Sequence, residues 1–261
     1  MAEHHEFYRR ARWYDIVFER DVGRDLDFLS GLYRRERGRP PESVVDLACG
    51  PGYHALGFAE RGLRASAVDL RPEMLELGEE KARARGVEVE WRAEDMRELE
   101  LAEPVDLAIC LFDGLDALQT DEDLVLHMRS VAQNLTPGGL YVIDLTHPRD
   151  SGYGSYGEFR YEGRREGVHV VIDWAVNDPL PDPVSGVCET EIRITVEGEG
   201  ERQVVHDTAR ERFLTPREIA LLAELSGRLR PAAWFGDFDR NVPLDAGPES
   251  RRMIAVLEKT A

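Results

Sequence analysis

The run VVDLACGPGYHALGFAERG, residues 44–62, passes from β-branched and apolar residues through Gly50-Pro51-Gly52 into a helical pattern. A strand that ends at the C-terminal edge of a sheet and turns through glycine into a helix brings backbone N–H groups close to a ligand. Large side chains at Gly50 or Gly52 would block that approach. Asp69 follows seventeen residues after Gly52, where the apolar run 65–68 ends, so the next strand delivers a carboxylate to the same edge. An acid there accepts both hydroxyls of a ribose. Each feature has an ordinary alternative: a turn that merely uses glycine, and an acid ahead of a helix starting near Pro72. Together they predict a site for a ribose-containing nucleotide cofactor.

Two chemistries compete for the loop. Gly50-Pro51-Gly52-Tyr53-His54-Ala55 satisfies the G-x-G-x-x-G/A fingerprint of dinucleotide-binding folds, which points to a nicotinamide or flavin oxidoreductase. The register argues against it. In that fingerprint the first glycine closely follows the strand, whereas here Asp46 ends the strand and Leu47-Ala48-Cys49 intervene.

The string Asp46-Leu47-Ala48-Cys49-Gly50-Pro51-Gly52 instead resembles motif I of the class I S-adenosylmethionine-dependent methyltransferases, an acid followed by G-x-G-x-G, with Ala48 replacing the first glycine. The resemblance extends over most of residues 44–148. Asp69-Leu70, Pro72 and Met74 are similar to that family's ribose-binding acid and its D-x-S-x-x-M-L continuation, with Arg71 in place of a small polar residue. Glu94-Asp95-Met96 is similar to the segment that holds the adenine edge. Leu111-Phe112-Asp113-Gly114-Leu115 follows the fourth strand where the family lines its active-site mouth, and Thr136-Pro137-Gly138-Gly139-Leu140 resembles the L-x-P-G-G turn into the fifth.

Carried over residue by residue, the resemblance implies a cofactor site for S-adenosylmethionine, with S-adenosylhomocysteine as product. Backbone groups of Ala48 and Gly50 would face the methionine part, with Asp46 near its ammonium, and Cys49 and Gly52 of the same loop are further cofactor-binding candidates. Asp69 would take the ribose hydroxyls, Asp95 the adenine amino group and the Met96 N–H a ring nitrogen, while Leu70 packs on the ring and Leu111 lines the mouth. No metal is implied. Tyr14-Asp15 resembles the Y-D element with which small-molecule members close an N-terminal helix over the cofactor, which makes Tyr14 a positioning candidate. His147, just beyond the fifth strand, is the candidate general base, or a strand-end cap before Pro148. In-line methyl transfer depends chiefly on aligning acceptor and methyl group, and an amine that binds neutral needs a base less than an alcohol does.

The elements that must position these residues alternate between strand-like and helix-like. Residues 44–47, 65–68, 87–91, 105–111 and 140–145 read as strands, and 53–61, 72–85 and 124–134 as helices, a pattern of a parallel sheet covered on both faces. Asp121 and Asp123 are placed to cap the last helix. Beyond Pro148 the texture changes: 168–176, 187–196 and 203–213 alternate as a β-meander, with Trp174, Tyr153 and Tyr156 available to line a substrate pocket. Thr215 to Glu218 is a near capping box for a final helix. The expected organisation is a helical lid (1–40), an α/β core (41–150), an antiparallel meander insertion (151–214) and a C-terminal helix with closing strands (215–261). The fold class is doubly wound, Rossmann-like α/β with a seven-stranded, mostly parallel sheet. The meander resembles the insertion of small-molecule N-methyltransferases. The resemblance implies that residues 253–257 lie antiparallel between the fifth and sixth strands, which a dehydrogenase sheet does not provide.

Composition narrows the partners. With 33 Lys and Arg against 51 Asp and Glu the formal charge is -18, so the surface repels polyanions, and affinity for nucleic acid comes mainly from neutralising phosphates. Arg34, Arg35, Arg37 and Arg39 read as a solvated helix end. Three scattered cysteines suggest neither a disulfide framework nor a zinc site, and no stretch approaches the ~20 apolar residues of a membrane span. The expectation is a cytoplasmic methyltransferase, monomer or homodimer, for a small-molecule acceptor, with an amine favoured over a hydroxyl. The alternatives are an NAD(P)-dependent oxidoreductase and a non-catalytic S-adenosylmethionine-binding protein.

Overall fold

Residues 43–47 and 105–110 are short runs dominated by branched apolar side chains, and both form strands buried along their whole length. Strands buried on both faces belong to sheets sandwiched between helices. A computed structural model of the chain describes residues 7–151, 158–198 and 200–260. A 3-10 turn, Phe7–Arg9, leads into α1 (Ala11–Phe18), α2 (Gly23–Arg37), β1 (Ser43–Leu47), α3 (Tyr53–Glu60), β2 (Arg64–Asp69), α4 (Pro72–Arg85), β3 (Glu90–Ala93) and β4 (Val105–Cys110). There follow α5 (Asp121–Asn134), β5 (Leu135–Thr146) and a short α6 (Pro148–Ser151). The insertion comprises β6 (Phe159–Arg165), β7 (Val168–Trp174), β8 (Val187–Gly198) and β9 (Glu201–Arg212), after which α7 (Pro216–Ser226), β10 (Leu229–Phe235) and β11 (Arg252–Lys259) close the core.

The core sheet has seven strands in the order β10-β11-β5-β4-β1-β2-β3. β11 runs antiparallel to both β5 and β10, while β1 pairs in parallel with β2 and β4. The closing strand thus lies between the fifth and sixth strands of the core, as the methyltransferase pattern implied and a dehydrogenase sheet does not. Alternate residues feed opposite faces. Val44, Leu107, Ile109, Val142 and Ile254 pack with Leu29, Ala55 and Phe58 of α2 and α3. Val45, Ala108, Tyr141, Ile143 and Ala255 pack with Leu124, Met128, Ile219 and Leu222 of α5 and α7.

The insertion folds as a second sheet, β6-β7-β8-β9, antiparallel throughout. Its apolar face meets Phe7, Tyr14, Ile16 and Phe18 of the N-terminal segment through Ile172, Trp174, Ile192 and Ile194, while Ala11 of α1 rests on Met74 and Leu77 of α4. The N-terminal helix is therefore held between core and insertion.

Several local expectations need correction. The third strand begins at Glu90, later than the expected 87. The meander has a fourth strand, β6, whose sequence FRYEGRR shows too little apolar character to be read as one. Thr120 rather than Asp121 or Asp123 caps α5, its hydroxyl accepting the Asp123 N–H at 3.1 Å. Thr136-Pro137-Gly138-Gly139 is taken into the start of β5 rather than standing apart as a turn, and the register against β4 shifts there. At α7 the capping box is complete. Arg37 and Arg39 are anchored rather than merely solvated: Arg39 forks onto the buried Asp106 carboxylate with two bonds of 2.8 Å, and Arg37 pairs with Glu258 at 2.8 Å. Tyr153 and Tyr156 lie outside the described residues. No described helix is long and apolar enough to cross a membrane.

Candidate functional site

The C-terminal ends of β1, β2 and β4 converge beneath the N-terminal segment and the insertion, and a cavity of about 710 Å³ lies between them. That is within the roughly 300–1,000 Å³ of small-molecule sites. Its floor is the β1–α3 loop, where Ala48 (φ 51°), Gly50 (φ 54°) and Gly52 (φ 72°) all adopt left-handed backbone. Asp69, at the end of β2, clasps this floor: the Gly50 N–H donates to Oδ2 and the Arg71 N–H to Oδ1, each at 2.8 Å. Burial raises the Asp69 carboxyl and the backbone donors counter it. Each oxygen accepts a backbone bond, and a carboxylate with about four lone-pair sites retains capacity for more.

Tyr14 lies over the same loop, its ring 3.8 Å from the position of a Cβ at Gly50. Burial, reinforced by the Asp69 charge, raises its phenol well above the ordinary range, so Tyr14 stays protonated near neutral pH. Leu70, 54% exposed, offers an apolar surface beside Asp69, and Glu94, Asp95 and Met96 form the adjoining wall. Asp95 is already engaged: Arg97 Nε lies 3.0 Å from both of its oxygens, and this lowers the Asp95 carboxyl.

Of the residues singled out by sequence, Tyr14, Ala48, Gly50, Asp69, Leu70, Asp95 and Met96 line the cavity, whereas Asp46, Cys49, Gly52, Leu111 and His147 do not. Gly52 faces the other way. A Cβ there would sit 2.7 Å from the Trp91 ring, and one at Gly78 would sit 2.4 Å from the same ring, so these glycines admit a tryptophan rather than a ligand. The Cys49 thiol turns to its neighbour's carbonyl, Gly50 O, at 3.3 Å, and Leu111 packs into the core. His147, the sequence candidate for a base, points away from the cavity: its Nδ1 accepts the Arg149 N–H at 3.1 Å, and Nε2 donates to Asp245 O at 2.9 Å. It ties the end of β5 to the loop before β11.

Asp46 lies beneath the loop, 3% exposed, accepting the Ala55 N–H at 3.3 Å. Burial pushes its carboxyl up to about 6, against the lowering effects of His54 and the Ala55 N–H. Between the ordinary carboxylate range and that value the folded protein holds a proton that the unfolded chain releases, so this group costs stability as pH rises through the window. A rise of about 2 pH units corresponds to about 3 kcal/mol at most. Asp46→Asn should therefore gain stability relative to wild type between about pH 4 and pH 7, as measured by denaturant unfolding at both ends.

Sequence reasoning placed Phe112 and Asp113 at the mouth and Trp174 in a pocket, but missed the buried polar set behind them and the carboxylates Asp116 and Glu211. Phe112 (φ 54°) and Asp113 (φ 65°) are held in left-handed conformations by a buried polar set. The Phe112 N–H donates to Asp144 Oδ2 at 3.0 Å, and Arg252 bridges Asp144 at 2.7 Å and Asp113 at 2.9 Å. Tyr8, Asp116, Tyr161, Trp174 and Glu211 complete this end of the cavity. The apolar-to-polar step at the end of β4 was the only available signal. The polar partners lie 32 to 139 residues apart in sequence, and no local spacing marks them.

Residues 44–139 match the family model of a methyltransferase domain. Among curated proteins, the chain is 34% identical over 125 residues to a dTDP-4-amino-2,3,4,6-tetradeoxy-D-glucose N,N-dimethyltransferase of Saccharopolyspora spinosa, covering 47% of this chain and 49% of that one. The chain spans about half the length of the curated relatives it matches. Among solved structures, an S-adenosylmethionine-dependent methyltransferase from Clostridium acetobutylicum superposes with a TM-score of 0.79 at 19% identity, covering 98% of this chain and 99% of that one. An amino pentose methyltransferase from Micromonospora echinaspora superposes with a TM-score of 0.71 at 21% identity, over 98% and 96% of the two chains. These likenesses carry the fold. Residues 44–139 thus match a methyltransferase domain, and the strand order with the whole-chain superpositions gives the chain the fold of S-adenosylmethionine-dependent methyltransferases.

Proposed function

We propose that the protein transfers a methyl group from S-adenosylmethionine to an amine on a small molecule. The observation that carries this reading is the clasp of Asp69 onto Gly50 under Tyr14, because it sets a ribose-binding carboxylate and a loop of close-approaching backbone against one enclosed cavity. The donor set fits the cofactor. Asp69 offers carboxylate capacity for the ribose hydroxyls, Leu70 an exposed apolar face for the adenine, Asp95 an acceptor for its amino group and Met96 a backbone donor. Ala48 and Gly50 would border the methionine part, and Asp46 would support the loop from below rather than touch the ligand. Bound there, the cofactor supplies an electrophilic methyl group on a sulfonium.

The chain's own part is alignment and exclusion of water. Tyr14 and Phe18 close the cavity from above, with Phe7 behind them against Trp174 at 6.4 Å between ring centroids. A cavity of this size lined by aromatic rings suits a small acceptor, and the charge of -18 disfavours nucleic acid. The names of the curated relatives include dTDP-amino sugars, which supports an amine on a sugar or a molecule of similar size. We take the protein to act in the cytoplasm as a monomer or homodimer. Turnover of methyl-labelled S-adenosylmethionine with matched amine and hydroxyl acceptors tests the proposal: label should pass to amines, and transfer confined to hydroxyls would overturn the amine assignment.

A further inference from the structure

The cavity carries two further carboxylates beside its aromatic rings. Asp116 sits on the 3-10 turn Gly114–Ala117 that follows β4, and Glu211 sits near the end of β9, so core and insertion each contribute a carboxylate to the same wall. Glu211 is 8% exposed and is oriented by the Thr190 hydroxyl at 3.0 Å and the Trp174 indole N–H at 3.4 Å. The Asp116 carboxylate makes no hydrogen bond among the described residues, although it lines the cavity. Two nearby cations do not serve it. Arg252 is bound to Asp113 and Asp144, and Arg97 to Asp95 and Asp123. Burial raises the Asp116 carboxyl well above the ordinary range, with the charges of Glu211 and Asp113 adding to the rise and Arg252 opposing it. Such an arrangement is costly in the empty protein. It is relieved by a cation.

Tyr8, Tyr161 and Trp174 line the same end. Aromatic faces attract an ammonium and its attached carbons, and do so more strongly when water is excluded. Resting on the methyltransferase reading above, we propose that Asp116 and Glu211 form the seat for the acceptor's amino group, holding it first as the ammonium and selecting it over a neutral acceptor. The nitrogen passes one proton to the Asp116 carboxylate before its lone pair can take the methyl group, the sulfonium leaving as the thioether. Asp116 is the unsatisfied member that the ligand engages, and Glu211 is the preset member that fixes its direction. Their separate origins mean that the seat exists only when the insertion is docked on the core.

The test uses the full chain saturated with S-adenosylhomocysteine, titrated calorimetrically near pH 7.5 with cyclohexylamine and with cyclohexanol, a cation and a neutral molecule of similar shape. Wild type should bind the amine at least about tenfold more tightly than the alcohol, Asp116→Asn should abolish the difference, and Glu211→Gln should reduce it. Both variants should hold S-adenosylhomocysteine as wild type does, which shows that the site is folded. Failure of wild type to bind S-adenosylhomocysteine would overturn the methyltransferase reading. Normal S-adenosylhomocysteine binding with no preference for the amine, or with a preference that survives Asp116→Asn, would overturn the ammonium seat alone.

Discussion

Asp69→Ala is expected to weaken S-adenosylhomocysteine binding by about 100-fold or more while leaving the chain folded. The carboxylate is proposed to accept both ribose hydroxyls, and a hydrogen bond to a charged group is worth about 1.5–3 kcal/mol. Two of them give about 3–6 kcal/mol, and each 1.4 kcal/mol is a factor of about ten in affinity. The substitution also frees the N–H groups of Gly50 and Arg71, now 2.8 Å from the carboxylate, so the loop loses its clasp. Those donors border the cavity and regain water, which keeps the cost to stability near 1–2 kcal/mol. Asp69→Asn should fall between wild type and alanine, because its carbonyl retains one acceptor. Calorimetric titration gives the affinities and thermal melting gives the stability. A tenfold loss or less for Asp69→Ala would remove the residue from the cofactor site.

The second large effect belongs to Asp15. Its side chain is 5% exposed and accepts the Tyr53 hydroxyl at 2.8 Å, faces Lys81 Nζ at 2.9 Å and pairs with Arg165. One carboxylate on α1 therefore joins α3, α4 and β6. Removing one partner of a buried ionic set leaves the remaining charges uncompensated, which typically costs about 3–5 kcal/mol. Asp15→Ala should lose stability on that scale and make the N-terminal segment the first point of proteolytic cleavage. Glu19 retains Lys81 at 2.7 Å and Arg165 at 2.6 Å, so the loss should fall toward the lower bound. Adding Arg165→Met to Asp15→Ala should cost less than the sum of the single changes, because the second substitution removes the charge that the first had stranded. Additive losses would mean that the contact contributes no coupling. Since Tyr14 is the adjacent residue, cofactor affinity should fall along with stability.

The parts of this architecture legible in the sequence are those whose causes are local. β1 and β4 are mainly apolar runs, each carrying one buried aspartate, because both faces of the strand are covered. The capping box at Thr215 completes itself within four residues, and the left-handed turn at Gly50 follows directly from the glycine. Asp69 was found because a strand end fixes where its side chain emerges. Gly52 was ambiguous for a physical reason: a glycine required for close approach is the same letter whether the neighbour is a ligand or, on its Cβ side here, the Trp91 ring. His147 had the right position at the end of a strand, but both of its nitrogens are consumed by Arg149 and Asp245. The strand β6 is hidden because it pairs along only one edge and carries charge at alternate positions. Asp116 and Glu211 are 95 residues apart, and only the docking of the insertion on the core brings them to one wall.

The central claim is that the loop from Asp46 to Gly52, with Asp69, holds S-adenosylmethionine rather than a dinucleotide. Parallel calorimetric titrations of the full chain with S-adenosylhomocysteine and with NADH test it most directly. Saturable binding of S-adenosylhomocysteine, with no heat from NADH, is the predicted result. Binding of NADH alone would contradict it.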